Sequence, residues 1–152
     1  MDLKYSCKNF EALSSKELYA ILKLRQDVFI IEQDCIYPDL DEIDFQAHHF
    51  FSLNEKDELL GYLRLIPPGE IYPDYSSIGR VVSSKKARGQ GIGKSIMQKA
   101  ILKSKELYPN HYIKLSAQTY VIPFYQSLGF EEVGDAYLED NIPHKSMVCK
   151  HS

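Results

Sequence analysis

Cysteine is scarce. Cys7, Cys35 and Cys149 are odd in number, far apart and without a C-x-x-C pair, which suggests neither a disulfide framework nor a zinc site and suits a reducing cytoplasm. Long apolar runs are missing: nothing approaches the roughly 18 to 20 residues of a membrane helix. The opening "MDLKYSCKNF" lacks the apolar region of a signal peptide, so neither export nor membrane insertion is expected. Repeats, low-complexity tracts and linkers are also absent, so residues 1–152 are expected to form one domain. With 44% hydrophobic and 26% charged residues, that domain has the means to bury a core.

Acid is missing from the stretch where base is concentrated. No Asp or Glu lies between Asp74 and Glu106, while Arg80, Lys85, Lys86, Arg88, Lys94, Lys99, Lys103 and Lys105 do. Conversely "YPDLDEIDF" carries Asp39, Asp41, Glu42 and Asp44 and no base. Within a net charge of −3, one region favours anions and the other favours cations, for instance a cationic acceptor. The basic region is interrupted by apolar helix positions, which argues against a nucleic-acid partner.

The elements read as a mixed α/β sheet. "SSKELYAILKLRQDVFII" predicts a helix capped at Ser14 or Ser15, with Leu18, Ile21, Leu22 and Phe29 at helical spacing. "AHHFFSL" and "ELLGYLRLI", joined by "NEKD", predict a hairpin in which Ala47, His49, Phe51 and Leu53 share one face. "SIGRVVSS" is a further strand. Ile92, Ile96, Met97, Ala100, Ile101 and Leu107 then mark the inward stripe of a helix that stops before Pro109. "YIKLSAQ" is a strand, "VIPFYQSLG" a short helix ending in glycine, and "MVCK" the closing strand.

A glycine-rich loop, "KKARGQGIGKSIM", therefore sits at a strand-to-helix junction, where free N–H groups and the helix dipole favour phosphate. It is not a Walker A loop, because Arg88 stands where the first glycine belongs. Nor is it a dinucleotide fingerprint, because Lys94 or Ile96 replaces the third glycine. The pattern it satisfies is R-x-x-G-x-G, at Arg88, Gly91 and Gly93.

With "FYQSLGF" downstream, the chain resembles the GCN5-related N-acetyltransferases over nearly its whole length. "LRQDVFIIEQ", "IGRVV" and "EDNIPH" resemble the ElaA-like branch, with Asn141 where that branch usually has Gly. The resemblance implies a single-domain, mostly antiparallel mixed sheet flanked by helices. It implies acetyl-CoA as co-substrate, no metal, and a small-molecule or peptide amine as acceptor. No nucleic-acid or membrane partner is implied, and a homodimer is compatible. Carried over by residue, Val81, Val82 and Ser83 bond the pantetheine arm through their backbones and polarise the thioester carbonyl. Arg88, Gly89, Gln90, Gly91, Ile92, Gly93 and Lys94 cradle the pyrophosphate, and Gln118 takes the place of a cofactor-binding Asn. Tyr125 becomes the acid for the departing sulfur, its reference pKa of about 10 being matched to a thiol's of about 8.5. The base is open, since Ile113 occupies the position of the Glu used in the ribosomal-protein branch. Glu32, His48, His49 and His144 are candidates. His49 also reads as a satisfied strand residue, Glu32 as a helix-surface carboxylate, and His144 as a structural residue before the last strand.

Two other functions start from the same residues. "R-x-x-V-F" at Arg25, Val28 and Phe29 also resembles acyl-homoserine-lactone synthases, but the chain lacks their length and their tryptophans. A non-catalytic acyl-CoA or nucleotide sensor would keep the loop and need no Tyr125.

Overall fold

The computed structural model describes residues 3–150. Their contacts fall into two units, 3–66 with Gly79–Ile96, and Pro67–Ile78 with 97–150.

In the first unit β1 (Lys4–Asn9), β2 (His48–Leu53) and β3 (Leu59–Ile66) form an antiparallel meander. The period-two pattern of "AHHFFSL" predicts one buried face, yet His49, Phe50, Phe51 and Ser52 are all buried. Strand β2 lies between β1 and β3 in the sheet, and both of its faces are covered. Helix α1 (Ser15–Arg25) opens with a capping box that settles the cap as Ser14. The Ser14 Oγ accepts the Glu17 N–H at 3.0 Å, and the Glu17 carboxylate accepts the Ser14 N–H at 2.8 Å. The helix does not stop at Arg25. Gln26–Glu32 continues it as a π-helical segment, and the Gln33 N–H reaches back five residues to the Val28 carbonyl. The core gathers Ile21 and Val28 from this run with Phe51, Tyr62 and Val82.

Strand β4 (Ser76–Ser83) ends in this unit, and the first turn of α2 (Ile92–Leu107) begins there. That turn lies on β3 at Gly61, where an added Cβ would meet the Ile92 side chain at 3.2 Å and the Ile96 side chain at 3.4 Å. Gly61 is what admits the helix.

In the second unit the start of β4 pairs in parallel with β5 (Ile113–Gln118) at Ser76↔Ile113 and Ser77↔Lys114. Strand β5 then pairs antiparallel with β7 (Ile142–Cys149), and β7 with β6 (Phe130–Glu139). Met97, Ala100 and Ile101 continue the buried stripe of α2, as the spacing predicts. Helix α3 (Ile122–Gln126) is short, and Gly129, three residues beyond it, has φ +98°. The closing strand is longer than "MVCK", and β6 is absent from the sequence reading altogether. After Phe130 every residue of β6 is exposed, so no buried alternation betrays it. Asp140 and Asn141, at φ +51° and +61°, make the two-residue mirror-image turn between β6 and β7, a conformation Asn tolerates. The strand order β1-β2-β3-β4-β5-β7-β6 gives the expected mixed, mostly antiparallel sheet.

Candidate functional site

In the first unit the π-helical run and the end of β4 enclose a groove of about 470 Å³. Val28, Phe29, Glu32 and Gln33 line one side; Val81, Val82, Ser83 and Arg88 line the other. Three of the residues expected to hold a pantetheine arm therefore share a cavity with Glu32 and Arg88. Val28, Phe29 and Gln33 entered the sequence reading only as parts of family-like stretches; the π-helical segment brings Val28 and Phe29 to the groove, and Gln33 follows at its end.

Beyond Arg88 the loop turns through left-handed backbone. Gly89 and Gly91 adopt φ +79° and +74°, and nothing lies within 4 Å of where a Cβ would project from either. The glycines thus provide left-handed backbone with open space beside it, where a ligand can approach the main chain closely. Gln90 is exposed on the same loop, Lys94 is exposed on the first turn of α2, and Ile92 is buried as the anchor of that turn. Gly93 lies on that turn, with the Ser83 Oγ 3.7 Å from its would-be Cβ. The residues present suit a pyrophosphate.

Glu32 and Arg88 face each other in a two-pronged ion pair, Arg88 Nη1 donating to Oε1 and Nη2 to Oε2, the latter at 2.6 Å. These bonds hold the Glu32 carboxyl below the ordinary carboxylate range. His49 is different in kind. Its Nε2 donates to the Asp44 carbonyl at 2.9 Å, so Nδ1 accepts the Tyr62 hydroxyl at 2.8 Å. Burial pushes its pKa down, and both ring nitrogens are committed to the core.

The acidic run does not form a free cationic-ligand surface. Asp39 accepts from Arg25 Nε at 2.9 Å and Arg80 Nε at 2.8 Å. Asp41 accepts from Arg64 Nη2 at 2.6 Å, and Asp44 from Arg25 Nη1 at 2.8 Å and Arg64 Nη1 at 3.0 Å. The expectation of an acceptor-attracting patch is corrected accordingly: three carboxylates are neutralised by three arginines, and of the run's four carboxylates only Glu42 is exposed. Sequence reasoning missed Arg25 and Arg64 as interior residues, although an acid-only run facing scattered arginines was the available signal.

In the second unit Gln118 ends β5, opposite His144 of β7 in register. Tyr125 on α3 is half-buried, its ring edge-on to Phe124 and Phe130 at 5.3 and 5.8 Å. Burial, with Tyr120 adding, pushes its pKa up to about 12. His144 donates from Nδ1 to the Ile142 carbonyl at 2.7 Å and directs Nε2 at Glu139, 3.3 Å away.

The model of the acetyltransferase (GNAT) domain matches residues 26–151. The chain belongs to the GNAT acetyltransferase family. Among its relatives, a UPF0039 protein of Synechocystis is 40% identical over 99% of this chain and 97% of its own. Among solved structures, an acyl-CoA N-acyltransferase from Pseudomonas aeruginosa matches at TM-score 0.91 and 40% identity, over 98% of this chain and 100% of the other. Escherichia coli ElaA matches at TM-score 0.90 and 33% identity, with the same coverage. A spermidine N-acetyltransferase from Vibrio cholerae, solved with CoA and spermine, shares the GNAT fold at TM-score 0.73 and 18% identity, over 96% of this chain and 94% of its own. No group of residues able to hold a metal ion is present among the described residues.

Proposed function

We propose that this GNAT protein is an acetyl-CoA-dependent N-acetyltransferase that moves the acetyl group to a primary amine by direct attack in a ternary complex. The observation that carries the reading is the left-handed backbone of Gly89 and Gly91, open to approach and directly following Arg88, which lines the groove with Val81, Val82 and Ser83. The glycine backbone takes the pyrophosphate, and the β4 backbone takes the pantetheine arm and polarises the thioester carbonyl. Gln118 contributes to coenzyme binding. The amine nitrogen attacks the carbonyl carbon, the C–S bond breaks, the sulfur takes the Tyr125 hydroxyl proton, and the amine's proton passes to Glu32. With its pKa raised to about 12, Tyr125 enters turnover protonated. His49 takes no part in proton transfer, because both of its nitrogens are occupied. A reducing cytoplasm suits the chain, whose three cysteines are odd in number and far apart in sequence.

Calorimetry tests the donor: acetyl-CoA is expected to bind, GTP and NAD are not, and nucleotide binding without CoA binding overturns the reading. A screen of amines, amino sugars, polyamines and peptides, followed by release of free thiol, identifies the acceptor.

A further inference from the structure

The groove contains a contact that competes with its own ligand. Arg88 immediately precedes the glycine cradle, yet its guanidinium is turned to Glu32, which closes the π-helical segment on the facing side. Both terminal nitrogens are engaged, and Nη2 lies 3.5 Å from the Ser83 carbonyl as well. A guanidinium fork grips a carboxylate or a phosphate in the same two-pronged way, and cannot give the same pair of N–H bonds to both. Resting on the acetyl-CoA reading above, we propose that the Glu32–Arg88 ion pair is a latch, which coenzyme binding opens by drawing Arg88 onto the pyrophosphate and leaving the Glu32 carboxylate free in the groove.

The latch orders the reaction. While Arg88 holds it, Glu32 lies below the ordinary carboxylate range and is a poor proton acceptor. Once Arg88 leaves, that cause is removed and the carboxylate regains basicity beside the thioester site. The base is assembled by the donor, so the amine can give its proton to Glu32 only while acetyl-CoA is bound. Opening the pair also costs affinity, because only the fraction of molecules with Arg88 released binds at full strength.

Calorimetric titration with CoA alone tests this without knowledge of the acceptor. Glu32→Gln, a near-isosteric change at a partly exposed side chain, is expected to tighten CoA binding about two- to five-fold, the range an exposed ion pair spans. Arg88→Gln is expected to weaken it. In the Arg88→Gln background, Glu32→Gln should add nothing. Its gain persisting there would mean simple relief of charge repulsion and would overturn the latch. So would unchanged or weaker binding by Glu32→Gln alone, or wild-type affinity in Arg88→Gln. If the wild type does not bind CoA, the function reading falls and the latch with it; the other outcomes touch the latch alone.

Discussion

Asp44→Asn removes one charge from the interior and leaves the shape almost intact. Arg25 is 0% and Arg64 2% exposed, and Asp44 Oδ1 accepts a hydrogen bond from each. Each guanidinium retains a second carboxylate: Arg25 has Asp39, and Arg64 has Asp41. Breaking a buried pair from one side costs about 3–5 kcal/mol, and the remaining partners place this change at the lower end, about 3 kcal/mol. For a chain of this length that corresponds to a fall in Tm of about 6–12 °C. The effect has a pH signature. Burial opposes ionisation of Asp44 and Asp41, but hydrogen bonds and charge from Arg25, Arg64 and Arg80 hold both folded pKa values below the usual ones. Their stabilisation is therefore complete above the unfolded Asp pKa of about 4 and is lost as pH falls through the lower folded values. Urea unfolding of wild type and Asp44→Asn should give a constant gap from pH 5 to 7. That gap should narrow only below about pH 4. A gap under about 1 kcal/mol at pH 7, or one that widens in acid, would refute the reasoning and show that the desolvation of these charges cancels their attraction.

Three further outcomes are measurable. Gly91→Val, which forces a β-branched residue to φ +74° and puts a side chain in the open space beside the backbone, should leave a folded protein that no longer binds CoA in calorimetry. Tyr125→Phe should leave CoA affinity nearly unchanged while lowering kcat and kcat/KM together by about 10²- to 10⁴-fold; equal activity would remove the hydroxyl from the mechanism. Because Asp39, Asp41 and Asp44 are all arginine-paired, kcat/KM for a cationic acceptor should change little as salt shortens the Debye length from about 30 to about 8 Å, whereas a steep fall would restore the acidic run as a steering surface.

The legible parts of this molecule are those where one residue type has one physical use. The stripe from Ile92 to Ile101 announces α2, and Gly89 and Gly91 announce left-handed backbone, which few other residues adopt. The groove itself was only half legible. Its β4 side followed from the strand before the loop, but its other side depends on a π-helical register that no periodicity in "QDVFIIE" encodes. Arg25 falls four residues after Ile21 and three before Val28, on the inward stripe, where a charged residue reads as an interruption. It is interior because Asp39 and Asp44 reach it from a loop 14 and 19 residues on, and such a pairing is tertiary information. Strand β6 was illegible for the opposite reason: exposed on both faces, it has no apolar alternation, and only the ladder to β7 and the Asp140–Asn141 turn define it.

Arg80 is the hardest of these cases. "SIGRVV" offers a glycine beside it, and glycine is where backbone distortion is expected, yet Gly79 keeps an ordinary conformation and Arg80 takes φ +53°. The side chain explains why. Arg80 donates from Nε to Asp39 Oδ1 at 2.8 Å and from Nη2 to the Asp39 carbonyl at 3.0 Å, and its guanidinium lies 5.5 Å from the Tyr37 ring. The left-handed residue directly precedes Val81–Ser83, so this network holds the bend from which the groove-lining end of β4 departs. Two substitutions separate backbone from side chain. Arg80→Ala loses the network and keeps the strain, which for a residue with a Cβ is about 1–2 kcal/mol. Arg80→Gly loses the same network but sheds the strain, offset by roughly 0.4–1 kcal/mol for the greater freedom of glycine in the unfolded chain. Both variants should be less stable than wild type, with Gly about 0.5–1 kcal/mol above Ala in urea unfolding. If Ala equals or exceeds Gly, the left-handed conformation at residue 80 is not a strained one, and the Asp39 contacts are a consequence of the bend rather than what holds it.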